Sequence, residues 1–138
     1  MYDDPNTSQE WEDVAQERRT DAMELLRAGR YVACLYYLGF AAECLAKALC
    51  AARGRPTRGH DVLALIEQAG FSPQVLPQNA RNFLTDRDVS LRYQAALPDD
   101  VKIDEELEAA RRFMDWSIKQ LRRRPRGRGA IAHRRKAQ

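Results

Sequence analysis

The sequence predicts an all-α fold, an up-and-down bundle of about five helices with a basic C-terminal tail. Three observations lead there. Apolar residues recur at helical spacing along five segments, each bounded by helix start or stop residues. No segment alternates apolar and polar residues as a half-buried strand does, and no repeat period is present. The chain has 138 residues, 44% hydrophobic and 31% charged, which suits a single domain able to bury about two thirds of its extended surface. The expected division is a bundle over residues 1–122 and a tail over 123–138.

The first helix is expected from Thr7, where Thr7-Ser8-Gln9-Glu10 has the form of a capping box. Trp11, Val14, Ala15, Ala22, Leu25 and Leu26 follow at helical spacing, and Gly29 is the stop. The second helix, over about residues 31–53, is apolar nearly all round until Glu43. Such a helix must be buried on most sides, so it is the candidate central helix. Glu43 and Lys47 stand four apart in the favourable order for an ion pair. Gly54, Pro56 and Gly59 then mark a loop.

A short third helix is expected over residues 61–69, with Val62, Leu65, Ile66 and Ala69 on one face and Gly70 after it. Ser72-Pro73 reads as a further start, made irregular by Pro77. A fourth helix is expected over roughly residues 77–93. Pro98-Asp99-Asp100 breaks the chain again. The fifth helix is expected from Asp104, with Glu105, Glu106 and Glu108 early and Arg122, Arg123 and Arg124 late, which complements the helix dipole at both ends. Leu107, Ala110, Met114, Ile118 and Leu121 give its apolar stripe.

Charge is segregated. Residues 1–118 hold 14 Lys/Arg against 20 Asp/Glu, a net of −6; residues 119–138 hold 9 Lys/Arg and no acid, a net of +9. A basic tail on an acidic body suits a polyanion, most simply nucleic acid, or else serves as a solubilising end. Arg122, Arg123, Arg124, Arg126 and Arg128 are its candidate nucleic-acid contacts. The longest apolar run, residues 31–42, is shorter than the roughly 20 residues of a membrane span, so no membrane helix is expected. The acidic, polar start Met1-Tyr2-Asp3-Asp4-Pro5 does not read as a secretory signal. Cys34, Cys44 and Cys50 are odd in number and share one apolar segment, which points to free thiols and a cytoplasmic setting. With no Cys-x-x-Cys pair and only His60 and His133, the ligands of a zinc site are missing, and no metal or cofactor is expected.

The candidate chemistry is sparse. Residues 54–61 have two glycines at phosphate-loop spacing, but His60 and Asp61 stand where lysine and a hydroxyl residue belong, and the segment follows a helix. It reads as a helix–helix connection. Asp61 suits an N-cap, and His60 suits either a local hydrogen bond that holds the loop or a proton-accepting role. On the fourth helix Phe83, Leu84, Arg87 and Leu91 share one stripe, while Arg81, Asp88 and Arg92 share another. Asp88 and Arg92 read either as a surface pair or, with Arg87 and the Tyr93 hydroxyl, as part of a phosphate-binding group.

Taken together the segments resemble the HEPN family. The likeness lies in Ala22-Met23-Glu24-Leu25-Leu26 with Gly29-Arg30-Tyr31, in residues 40–49, in Gly59-His60-Asp61-Val62-Leu63, and in Leu91-Arg92-Tyr93. It covers about residues 8–122. The resemblance implies a four- or five-helix bundle that dimerises and that pairs with a minimal nucleotidyltransferase, often as toxin and antitoxin. It also implies, for many relatives, metal-independent cleavage of RNA by an arginine, four to six intervening residues and then a histidine, near the fourth helix. RNA carries its own nucleophile, the 2′-hydroxyl, so a base and cationic donors suffice. Here four residues separate Arg87 from Arg92, which stands where the histidine belongs. Arginine stays protonated at neutral pH and holds phosphate without accepting a proton.

The expected function is therefore a non-catalytic or weakly catalytic subunit that binds nucleotide or RNA, with Arg87, Arg92 and Tyr93 as the candidate catalytic or phosphate-holding residues. Glu43, Lys47, His60 and Asp61 are accessory candidates. The alternatives are a metal-independent RNase toxin and a purely structural dimerisation module.

Overall fold

The computed structural model describes residues 3–86 and 93–123. Among these the elements are α1 (Ser8–Arg27), α2 (Tyr31–Ala52), α3 (Val62–Gln68), a 3₁₀ turn (Pro73–Val75), α4 (Gln78–Asp86) and α5 (Ile103–Arg122), with no strand. The fold is the all-α bundle the periodicity predicts.

The start of α1 is a complete capping box. The Thr7 hydroxyl accepts from the Glu10 amide at 3.1 Å, and the Glu10 carboxylate accepts from the amides of Thr7 at 2.9 Å and Asn6 at 2.8 Å. These backbone hydrogen bonds, Thr7 first, hold the Glu10 carboxyl below the usual carboxylate range. At the other end Gly29 takes φ 75°. The Arg30 amide reaches back to the Leu25 carbonyl at 2.8 Å, and the Gly29 amide to Leu26 at 2.9 Å. That is a Schellman stop, and it folds α1 back on α2 through three residues. α2 and α3 end in the same way, with Gly54 and Gly70 in the equivalent position.

α2 is the central helix. It packs most extensively on α1 and also on α5 and α3. Leu35, Leu38, Leu45 and Leu49 are buried along it, interleaved with Ala41, Ala42, Ala46 and Ala48, whose small side chains let the neighbours approach closely. By length and composition α2 is apolar enough to cross a membrane, because Glu43 and Lys47 are its only charges. However, 67% of its most apolar window is buried inside the bundle, so its apolar surface is already covered by protein. Each large side chain buried there contributes about 1.5–3 kcal/mol.

One helix face differs from expectation. The fifth helix presents Ala109, Ala110, Phe113, Met114 and Ser117 to the core, while Leu107, Ile118 and Leu121 are only half-buried. The stripe is turned because Phe113, fully buried, anchors the face, and Glu108, Arg111, Arg112 and Asp115 pair with one another outside it. The fourth helix was expected over residues 77–93. As described it spans Gln78–Asp86, residues 87–92 lie outside the described residues, and Tyr93 stands outside the α-helix, 78% exposed. Phe83 and Leu84 face the core as the pattern requires.

Candidate functional site

Of the accessory candidates Glu43, Lys47, His60 and Asp61, the first three meet at one carboxylate, while Asp61 caps the next helix. α2 carries Glu43 and Lys47 one turn apart, with Glu43 Oε2 3.2 Å from Lys47 Nζ. The loop after α2 returns His60 to the same carboxylate, Nδ1 to Oε2 at 2.8 Å. Lys47 is buried and lies over the Trp11 ring of α1, Nζ 5.0 Å from the centroid, so the ammonium is held between a carboxylate and an aromatic face. Asp61 N-caps α3 by accepting from the amides of Leu63 at 3.1 Å and Ala64 at 3.4 Å.

The chemistry of this group follows from its exposure. The His60 side chain is 84% exposed while Glu43 is largely covered. With a carboxylate at Nδ1 that nitrogen donates, which leaves Nε2 as the proton-accepting atom of the neutral ring. The loop is braced nearby by two arginines. Arg53 donates to the Ala69 carbonyl at 3.1 Å, and Arg55 to the Gln68 carbonyl at 3.0 Å, so both cap the C-terminal carbonyls of α3. The two-glycine segment is thus a helix–helix connection.

Of the tail candidates, Arg122 and Arg123 are described, and Arg124, Arg126 and Arg128 lie outside the described residues. Arg122 forks onto Glu12 of α1, Nη2 to Oε2 at 2.6 Å and Nη1 to Oε1 at 3.2 Å, tying the end of α5 to the start of the bundle. Arg123 is exposed just after α5. Arg87 and Arg92 lie outside the described residues, and so does Asp88. Arg81, on the stripe assigned to Asp88 and Arg92, hydrogen-bonds to Gln74 and Gln78.

A family model for the HEPN domain matches residues 8–121 of this sequence. The chain belongs to the HEPN family. No curated protein and no solved structure matches it. HEPN membership supports a general role connected with nucleotides or RNA.

One feature of this HEPN bundle escaped the sequence reading. A cleft of about 620 Å³ opens between the first turns of α2 and residues 94–97, with Arg30, Tyr31, Tyr36 and Gln94 among its walls. Its two sides are some sixty residues apart in sequence, so no local spacing announces it. Among the described residues no three His, Cys, Asp or Glu side chains cluster as a metal site.

Proposed function

We propose that this HEPN protein is a non-catalytic or weakly catalytic subunit that binds the phosphates of a nucleotide or RNA. It works as a homodimer beside a minimal nucleotidyltransferase in a toxin–antitoxin or defence system. The observation that carries the reading is Arg92 at the position where the family's RNases place histidine, five residues after Arg87. Two guanidinium groups hold phosphate bidentately, and neither takes the proton of a 2′-hydroxyl at neutral pH. The net charge of +9 over residues 119–138, against −6 over the rest, adds sequence-independent affinity for the same polyanion.

Titrating a labelled single-stranded RNA with the full-length protein, followed by anisotropy at several salt concentrations, tests this. Affinity should fall steeply with salt. Deleting residues 123–138 removes seven of the cations and should lower the log–log slope by about 2–5. Arg87→Ala with Arg92→Ala should weaken binding further. A slope unchanged by the deletion, together with full affinity in the double variant, would reject the reading.

A second reading, a metal-independent RNase, draws on one observation. Glu43 orients His60 through Nδ1, and that is how a carboxylate prepares an imidazole to accept a proton. In that case RNA cleavage in the presence of EDTA is abolished by His60→Ala.

A further inference from the structure

We propose that the cleft at the start of α2 is the seat of a free mononucleotide, with the base against its tyrosine wall and the phosphate on Arg30. The choice of a nucleotide rests on the reading above; the place rests on the cleft itself.

Four observations converge. The cleft's volume, about 620 Å³, is that of a small-ligand site rather than a packing gap. Its walls are mostly apolar, as with Ala95 and Leu97, and carry two aromatic rings, Tyr31 and Tyr36. Tyr31 is 41% exposed, one of three large apolar side chains left uncovered among the described residues. An uncovered ring at the mouth of an apolar cleft is a stacking surface for a flat heterocycle.

The polar groups sort the ligand further. Among the described residues no Asp or Glu lines the cleft, although acids outnumber bases in residues 1–118. Arg30 is exposed and has no side-chain partner among the described residues, whereas Arg53, Arg55, Arg81 and Arg122 are all engaged. A guanidinium among described lining residues that carry no carboxylate favours an anion and disfavours a cation or a metal ion. Gln94 brings a carboxamide, which offers a donor and an acceptor side by side and so matches the edge of a base such as adenine. A ligand that is flat and apolar on one part, anionic on another, and edged with donors and acceptors is a nucleotide. The cleft lies apart from the His60 group: Glu43 is twelve residues along α2 from Tyr31, roughly 18 Å at the helical rise.

Calorimetric titration of the full-length protein with AMP tests this, alongside adenosine and inorganic phosphate. AMP should bind, and each of the other two should bind at least about tenfold more weakly, because each lacks one half of the match. Arg30→Ala and Tyr31→Ala should each weaken AMP about tenfold or more, and Ala95→Trp, which fills the cleft from an exposed position, should abolish binding. Alanine methyl resonances of Ala33 and Ala95 should shift with AMP in the wild type. AMP binding that survives all three substitutions but is lost in Arg87→Ala with Arg92→Ala would overturn the cleft and leave the phosphate-binding reading standing. A wild-type protein that binds RNA but not AMP would do the same. Failure of both ligands would remove both.

Discussion

Replacing Glu43 by alanine should destabilise the bundle more than any other single change at the α2–α3 loop. The carboxylate has two partners, Lys47 Nζ at 3.2 Å and His60 Nδ1 at 2.8 Å, and the Lys47 side chain is only 10% exposed. Removing it leaves an ammonium buried without a counter-charge. For fully buried pairs that costs about 3–5 kcal/mol. Here the pair keeps some contact with water, and the Trp11 ring 5.0 Å away retains a share of the attraction, of order 0.5–2 kcal/mol. A loss of about 2–3 kcal/mol follows, or roughly 8–12 °C in Tm for a domain of this size. Urea unfolding followed by circular dichroism at constant m gives the number. Adding Lys47→Met to Glu43→Ala should restore at least about half, since an apolar chain replaces the stranded charge. His60→Ala alone should cost about 0.5 kcal/mol or less, because its ring is mostly in water. A Glu43→Ala loss below about 0.5 kcal/mol, or a double variant no better than the single, would refute this reasoning.

Gly70 has φ 99°, and an added Cβ would lie 3.1 Å from the Arg53 guanidinium; Gly70→Ala should therefore cost about 1–2 kcal/mol in the same unfolding assay. Burial pushes the Cys44 thiol up to about 11 and raises Cys34 and Cys50 in the same direction, so at pH 8 iodoacetamide should label all three only after denaturation. The Glu10 cap is pH-dependent with a definite sign. Its folded-state pKa is lowered, so its stabilisation is present above the ordinary carboxylate range and is lost as pH falls through the lowered value. The stability gap between wild type and Glu10→Ala should accordingly be constant near neutrality and shrink on acidification.

The parts of the fold that were legible in the sequence are those set by local chemistry. Thr7 and Glu10 form the capping box their spacing predicts, Gly29 stops α1, Asp61 caps α3, and Ser72 caps the 3₁₀ turn before Pro77 delays α4. The all-round apolarity of residues 31–42 identified the central helix for the same reason: only burial makes such a segment stable. What spacing alone missed was decided by distant neighbours. The face of α5 is set by how Phe113 meets the core, and periodicity fixes a stripe only to within a position. Arg122 reads as a free cation in a basic run, yet Glu12 lies 110 residues away in sequence and within a hydrogen bond in space. The Glu43–Lys47 pair was visible at four residues' separation, but its third member, His60, arrives only through the fold of the loop. The cleft beside Arg30 is the extreme case, because its two walls lie some sixty residues apart in sequence.

The central claim is that this HEPN chain grips phosphate without cutting the strand. Incubating the purified full-length protein with single-stranded RNA in excess EDTA, and resolving the products on a denaturing gel, tests it most directly. The account predicts RNA that is bound, by mobility shift in a parallel lane, and intact in length. Strand scission that disappears in Arg87→Ala would contradict it.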